Sequence, residues 1–187
     1  MSGPDVSGAG PDVSGVEQAA FRRAAGQFPG GIVVVTTSGA HAMTVSAFAS
    51  VSLEPPLVLF CAEKIARFHD AVLEAGAWAV SILAEDGEKT ARWLATRGRP
   101  LAGQLDELPY HPGPATGAPV LDGALAVLEC RVFAVYDGGD HSIIVGRVTA
   151  VDGPAEPPAR GAASGPPARR PLIHHAGRYH RLRPAED

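Results

Sequence analysis

AMTVSAFASVSLEPPLVLFC, residues Ala42 to Cys61, alternates from its start. Met43, Val45, Ala47, Ala49, Val51 and Leu53 fall on one side, and Thr44, Ser46, Phe48, Ser50 and Ser52 on the other. Side chains of an extended chain point to opposite faces with a period of two, so the spacing predicts a strand whose first set is core. The second set is unusual for a solvated face, which normally mixes in charge: up to Leu53 it holds four small hydroxyls and one aromatic ring. That face is either an ordinary wet sheet surface or a wall for a ligand that needs small hydroxyls.

On either side of this stretch the chain reads as further strands. Ile32 to Thr37 is a β-branched run, and Glu54, Pro55 and Pro56 break the chain before the continuous apolar run Leu57 to Ala62. Three antiparallel neighbours are the economical arrangement. Trp78, Val80 and Ile82 alternate as a fourth strand. Ala124 to Tyr136 and Ser142 to Val151 make a long hairpin across Asp137, Gly138, Gly139 and Asp140. Helices are few and short. Ser14 and Glu17 give a capping signal for a helix through Phe28, with Ala20, Phe21, Ala24, Ala25 and Phe28 as its apolar stripe. A second runs from about Ala66 to Glu74 and stops at Gly76; a third, Glu85 to Arg97, turns Trp93 and Leu94 inward. Gly98 to Pro119 is rich in Pro and Gly and reads as a surface loop able to cover a site. Mostly hairpin-connected strands without regular βαβ alternation predict a closed or nearly closed antiparallel barrel rather than a doubly wound fold.

Residues 1–15 contain GPDVSG twice and read as a flexible tail, 16–152 as the barrel domain, 153–170 as a Pro/Ala/Gly-rich insertion, and 171–187 as a segment that docks back. The 187 residues are 45% hydrophobic, enough for one core. A net charge of −4 supplies no basic field for nucleic acid or an anionic membrane surface. Cys61 and Cys130 lie in apolar runs without C-x-x-C spacing, which suits reduced buried thiols in the cytoplasm. No segment reaches the roughly 20 apolar residues of a membrane span, and no export signal opens the chain. His174, His175 and His180 have no acidic partner nearby, so no metal is expected.

The chain has no G-x-G-x-x-G, P-loop, G-x-S-x-G or H-E-x-x-H motif. Two places remain for chemistry. One is the hydroxyl face together with Glu63 to His69, where Lys64 and Arg67 flank a helix start and make a phosphate seat if they are not plain surface charges. The other is Gly139-Asp140-His141 at the hairpin tip, which on residue type alone is an ordinary turn.

Taken in order, FRRAAGQFPGGIVVVTT, AMTVSAFASVSLEPPLVLF, GAPVLDGALAVLECRV and GGDHSIIVGRV closely resemble the flavin reductase-like family of FMN-binding split barrels. The resemblance spans about Phe21 to Val151 and resumes at Pro171. It implies a mainly β fold, an antiparallel split β-barrel with a few short flanking helices. It implies an NAD(P)H:flavin oxidoreductase that uses FMN or FAD with NADH or NADPH, forms a homodimer with flavin at the subunit interface, and supplies reduced flavin to a separate monooxygenase. By the same resemblance, Thr44, Val45, Ser46 and Ala47 line the pyrimidine edge of the flavin, and Ser50, Val51 and Ser52 continue that wall. Cys61, Lys64, Arg67 and Phe68 belong to the ribityl phosphate segment, while Gly139, Asp140 and His141 serve the nicotinamide. No catalytic side chain is required, because hydride passes directly between two stacked rings. The chain departs from the family pattern at Ala47, Ala66 and Phe68, where small hydroxyl residues are common, and it lacks asparagine throughout. Two other activities use the same barrel: a binding protein that holds flavin or another planar cofactor without turnover, and an oxidase acting with flavin and oxygen.

Overall fold

The computed structural model describes residues 15–153 and 169–183. The repeat in 1–14, the Ser14 half of the capping signal and nearly all of the 153–170 insertion lie outside the described residues. In chain order the elements are α1 (Gln18–Ala25), β1 (Gly30–Gly31), β2 (Val33–Thr37), β3 (His41–Val45), β4 (Phe48–Leu53), β5 (Pro56–Glu63), α2 (Arg67–Ala75) and β6 (Ala77–Ile82). They continue with α3 (Glu88–Ala95), β7 (Tyr110–Pro112), β8 (Pro119–Leu121), β9 (Ala126–Gly138), β10 (His141–Asp152), β11 (Leu172–His175) and β12 (Arg178–Arg181).

The main sheet is antiparallel, in the order β3-β2-β6-β9-β10-β5-β4. β3 and β4 stand at its opposite ends, yet only Ser46 and Ala47 separate them in the chain. The sheet therefore rolls until its first and last strands meet at that bend, where Cys61 N–H donates to the Ala47 carbonyl at 3.1 Å. β3 and β4 do not pair, so the barrel stays split along this seam. Its interior holds Val35, Val45, Val58, Phe60, Trp78, Val80, Cys130 and Ile144, with Phe60 and Trp78 in edge contact at 4.6 Å. α2 plugs one end by adding Phe68 and Val72 to this cluster. A second core lies outside the barrel wall, where Ala91 and Leu94 of α3 and Leu172 of β11 pack on Ile32, Val34 and Ala42. β2 is thus buried on both faces, which is why its sequence is a continuous β-branched run rather than an alternating one.

The founding stretch is two strands, not one. Phe48 pairs with Phe60, and residues directly opposite across a ladder share a face, so Phe48 turns to the interior side. Ala49 consequently points out; Val51 is the extra residue where the pairing steps from Ser50–Val58 to Ser52–Leu57 and is half-exposed, and Leu53 is 90% exposed at the end of the strand, where the sequence predicted core. The bend moves the chain from a β2 partner to a β5 partner, and with the new partner the larger aromatic takes the inner position.

Three other expectations change. α1 ends at Ala25, is capped by the Glu17 carboxylate accepting from Ala19 and Ala20 N–H, and buries no residue. Phe28 is 84% exposed, because the helix is tied back through its C-terminal end, where Ala176 N–H donates to Gly26. Trp93 is also partly exposed: α3 stops at Ala95, and the indole N–H reaches out to the Gln104 carbonyl at 2.8 Å. The 98–119 segment is not merely a surface loop. Leu105 and Gln104 are buried, and the Glu129 carboxylate clamps Ala115 and Thr116 through their backbone N–H groups. The predicted long hairpin is present as β9 and β10, turning on Gly139 at φ 77°. Leu172–His175 and Arg178–Arg181 form the β11–β12 hairpin, whose β11 pairs with β1.

Candidate functional site

A cleft of about 570 Å³ opens where the barrel seam, the start of α2 and the segment after α3 converge. One wall is Ala42 to Ala47, the end of β3 and the bend that follows it. The opposite wall is Cys61, Glu63 and Ile65 to Phe68, and the third is Leu94 to Arg99 with Leu101 and Gln104; His141 stands at the rim. The third wall follows directly from the early end of α3. Thr96 is extended, Gly98 takes φ 73°, and the chain turns back so that its arginines face the barrel.

Polar contacts hold these walls together. Arg99 spends its whole fork as a strut: Nε donates to Gln104 Oε1 at 3.0 Å, Nη1 to the Thr96 carbonyl at 3.0 Å, and Nη2 to the Ala42 carbonyl. Burial lowers the pKa of Arg99, and the nearby charge of Arg67 lowers it further. Arg67 donates to the Arg99 carbonyl at 2.5 Å, and Arg97 grips Glu63 with two contacts of 2.9 and 2.8 Å. The first turn of α2 has no side-chain cap, its His69 N–H donates to the Ala66 carbonyl at 2.9 Å, and its first residues, Arg67 and Phe68, line the cleft. At the rim His141 Nδ1 lies 2.7 Å from Asp140 Oδ1; this hydrogen bond, then the His141 charge, holds the Asp140 carboxyl below its usual range. His69 bridges Asp70 at 2.8 Å and Ser142 Oγ at 2.9 Å. The connectivity is that of a nucleophile triad, but Ser142 is buried in the barrel wall and does not line the cleft, so the chain of contacts braces α2 against β10.

The sequence-predicted residues divide. Thr44, Val45, Ser46, Ala47, Cys61, Arg67, Phe68 and His141 all line this one cleft. Ser50, Val51 and Ser52 do not, because the bend carries β4 away from it. Lys64 does not either: its ammonium is bound to Asp137, lowering that carboxyl's pKa through the hydrogen bond and then the charge. Thr44 presents its backbone, since its hydroxyl donates to the Ala91 carbonyl of α3 at 2.8 Å. Phe68 lies mainly in the barrel core against Phe60. Gly139 and Asp140 are near the cleft only through His141. Arg97 and Arg99 were missed, while Glu63, which the sequence grouped with the phosphate seat, lines the cleft as the partner of Arg97. The signal was present as two arginines flanking Gly98, but reading the third helix through to Arg97 hid the turn that aims them inward. Cys61 and Cys130 are free; burial raises both thiols, Cys130 to about 12, with the Glu129 charge adding to the effect there. Among the described residues no cluster of His, Cys, Asp and Glu could hold a metal, and no helix is long and apolar enough to cross a membrane.

The cleft suits a flat, phosphorylated ring system. Its volume falls in the range of small-molecule sites, and Ala42, Ser46, Ala47, Ala66 and Gly98 leave its walls low enough for a planar group to approach the backbone. Known proteins resemble the chain over most of its length. An NADH-dependent FAD reductase of Streptomyces globisporus is 39% identical over 170 residues, covering 89% of this chain and 87% of that protein. The FMN reductase (NADH) SmoA of Agrobacterium fabrum is 41% identical over 137 residues, covering 72% of this chain and 76% of that protein. Among solved structures, BorF, the flavin reductase component of a bacterial two-component tryptophan halogenase, matches with a TM-score of 0.79 at 38% identity, covering 90% of this chain and 100% of that one. The Streptomyces globisporus C-1027 NADH:FAD oxidoreductase SgcE6, solved with NAD and FAD fragments, matches at 0.80 and 36% identity, covering 91% and 96%. The family model described as a flavin reductase like domain matches residues 25–183, and with the split barrel and its cleft this places the chain in the flavin reductase-like family.

Proposed function

We propose that the chain is an NAD(P)H:flavin oxidoreductase that reduces FMN or FAD with NADH or NADPH and delivers the reduced flavin to a separate flavin-dependent monooxygenase. The observation that carries this reading is the convergence of Thr44 to Ala47, Cys61, Arg67 and His141 on one cleft with walls of small residues. NADH-dependent FAD and FMN reductases among the relatives support it.

Hydride transfer between nicotinamide and flavin supplies the redox chemistry, so the protein's task is to stack and orient two rings. In this reading the Ala42 to Ala47 wall offers backbone polar groups to the ring edge, and Cys61, Arg67 and the backbone around Phe68 hold the phosphate end. Ser50, Val51, Ser52 and Lys64 take no part within a single subunit. Gly139 and Asp140 set the position of His141, which contacts the nicotinamide. Residues 16–152 with 171–183 form the working unit.

Purified protein given NADH and FMN should consume the nicotinamide absorbance band. Absence of turnover with both nicotinamides and both flavins would sink the proposal. His141→Ala should raise the KM for NADH about tenfold, as the loss of one contact of about 1.4 kcal/mol does, and leave flavin affinity within twofold. Equal losses of both would reduce His141 to a structural part.

We further propose a homodimer in the cytoplasm. Val51 and Leu53 of β4 and Phe133, Val135 and Tyr136 of β9 are large apolar side chains left exposed in the single chain, and a second copy would cover some of them. Two free thiols fit a reducing compartment. Light scattering should return about twice the 19.3 kDa chain mass; a monomer at micromolar concentration would refute the dimer.

A further inference from the structure

The lining of the cleft carries three guanidiniums, Arg67, Arg97 and Arg99, against a single carboxylate, Glu63. With its histidines neutral, that leaves an excess of two positive charges inside a protein whose net charge is −4. The three arginines are not equivalent. Arg99 is committed to Gln104, Thr96 and Ala42, and its place in the wall depends on all three. Arg67 leans on the Arg99 carbonyl through one nitrogen. Among the described residues Arg97 is held by a carboxylate alone, and its side chain is 76% exposed while Glu63's is 27% exposed. An ion pair that open to water contributes little net stability, so exchanging Glu63 for another anion costs little. The phosphate monoester of FMN brings about −1.5 to −2 charges at pH 7, close to the local excess, the pyrophosphate of FAD carries one negative charge on each phosphate, and either offers Arg97 Nη2, which now meets both Glu63 oxygens, charged oxygens to bind in their place.

Resting on the flavin-reductase reading, we propose that Arg97 is the cleft's phosphate-selecting residue. It leaves Glu63 to bind the phosphate of FMN or FAD beside Arg67, and it thereby makes the cleft prefer phosphorylated flavins to riboflavin. Arg97 takes over the place that Lys64, bound to Asp137, cannot fill. Glu63 acts in opposition, holding Arg97 while the cleft is empty and repelling a bare phosphate.

The test is equilibrium titration of intrinsic flavin fluorescence with FMN, FAD and riboflavin and no nicotinamide present, so no turnover is needed. Arg97→Ala should weaken FMN and FAD about 10- to 100-fold, the loss of a charge-assisted hydrogen-bond pair, while riboflavin stays within twofold. Arg97→Lys should restore part of the loss, keeping the charge without the fork. Glu63→Gln should tighten FMN, an effect opposite in sign to that expected if the pair merely held the loop. Raising salt should weaken FMN but not riboflavin in the wild-type protein. If Arg97→Ala weakens all three flavins alike, or leaves FMN unchanged, Arg97 is not the selecting residue even though the reductase reading stands. If the wild-type protein binds none of the three, the reductase reading and this proposal fall together.

Discussion

Ala47→Trp should raise the dissociation constant for FMN at least about 100-fold, because a bulky ring on the wall displaces the flavin at a cost of about 3 kcal/mol. Ala47 lines the cleft, is itself exposed, and belongs to the two-residue bend between β3 and β4. Its only described structural duty is main-chain: its carbonyl accepts from Cys61 N–H. A larger side chain therefore enters the cleft without disturbing the barrel, and the melting temperature should move by no more than about 2 °C, as a change under 1 kcal/mol does. Fluorescence titration with a parallel thermal melt checks both halves. Unchanged flavin affinity with a folded variant would remove the bend from the binding wall, and the flavin would have to sit elsewhere on the protein.

The second large effect concerns folding. Gly146 lies on β10 at a register shift, where its pairing steps from Ala134 to Val132 and bypasses Phe133. That extra residue on β9 is thrown outward, where the Arg147 guanidinium covers its ring at 5.1 Å. The bulge brings the β10 backbone against the buried indole of Trp78. A Cβ on residue 146 would collide with Trp78 Cζ2 and stand 2.8 Å from its Cε2 and 2.9 Å from Cys130 Cβ. Neither neighbour has room to give, since both are fully buried in the barrel core. Gly146→Ala should destabilise the protein by about 3 kcal/mol, the upper part of the overpacking range, and lower its melting temperature by roughly 6–12 °C. Because the colliding atoms belong to the indole's outer ring system, Trp78→Phe should recover at least about 1 kcal/mol of that loss in a double-mutant cycle. The Trp78 indole N–H, which has no partner among the described residues, would be lost in the same change without breaking a hydrogen bond. Strict additivity in the cycle would show that the Gly146 requirement comes from the bulge's backbone rather than from the indole.

Much of the architecture was legible because it is local. The β-branched run at 33–37, the alternation of Trp78, Val80 and Ile82, and Gly76 at φ 63° closing α2 each state their conformation within a few residues. The same holds for Gly139 in the β9–β10 turn. The cleft was legible to the extent that its wall is one continuous segment: Thr44 to Ala47 stand together in the chain and in space.

What failed was phase and partnership. Alternation alone carried the first face of residues 43–53 through as core, and only the pairing of Phe48 with Phe60 shows that the faces exchange after Ala47. Lys64 and Arg67 are indistinguishable as cations in the sequence. The distant Asp137 claims one, and the cleft keeps the other. The Phe21 and Phe28 stripe satisfies the pattern of a buried helix face, yet the barrel within the same chain does not cover it.

The sequence by itself determined a mainly β chain of hairpin-connected strands, because strand period and turn glycines are properties of neighbouring residues, and its four motifs in order carried the resemblance to split-barrel flavin reductases. Tertiary structure alone decided where the cleft wall stops, which cations face it, and that Arg97, held by Glu63, joins it. Those outcomes depend on pairings from 12 positions apart, Phe48 with Phe60, to 73 apart, Lys64 with Asp137, and the energy of such contacts is set by partners that no local pattern names.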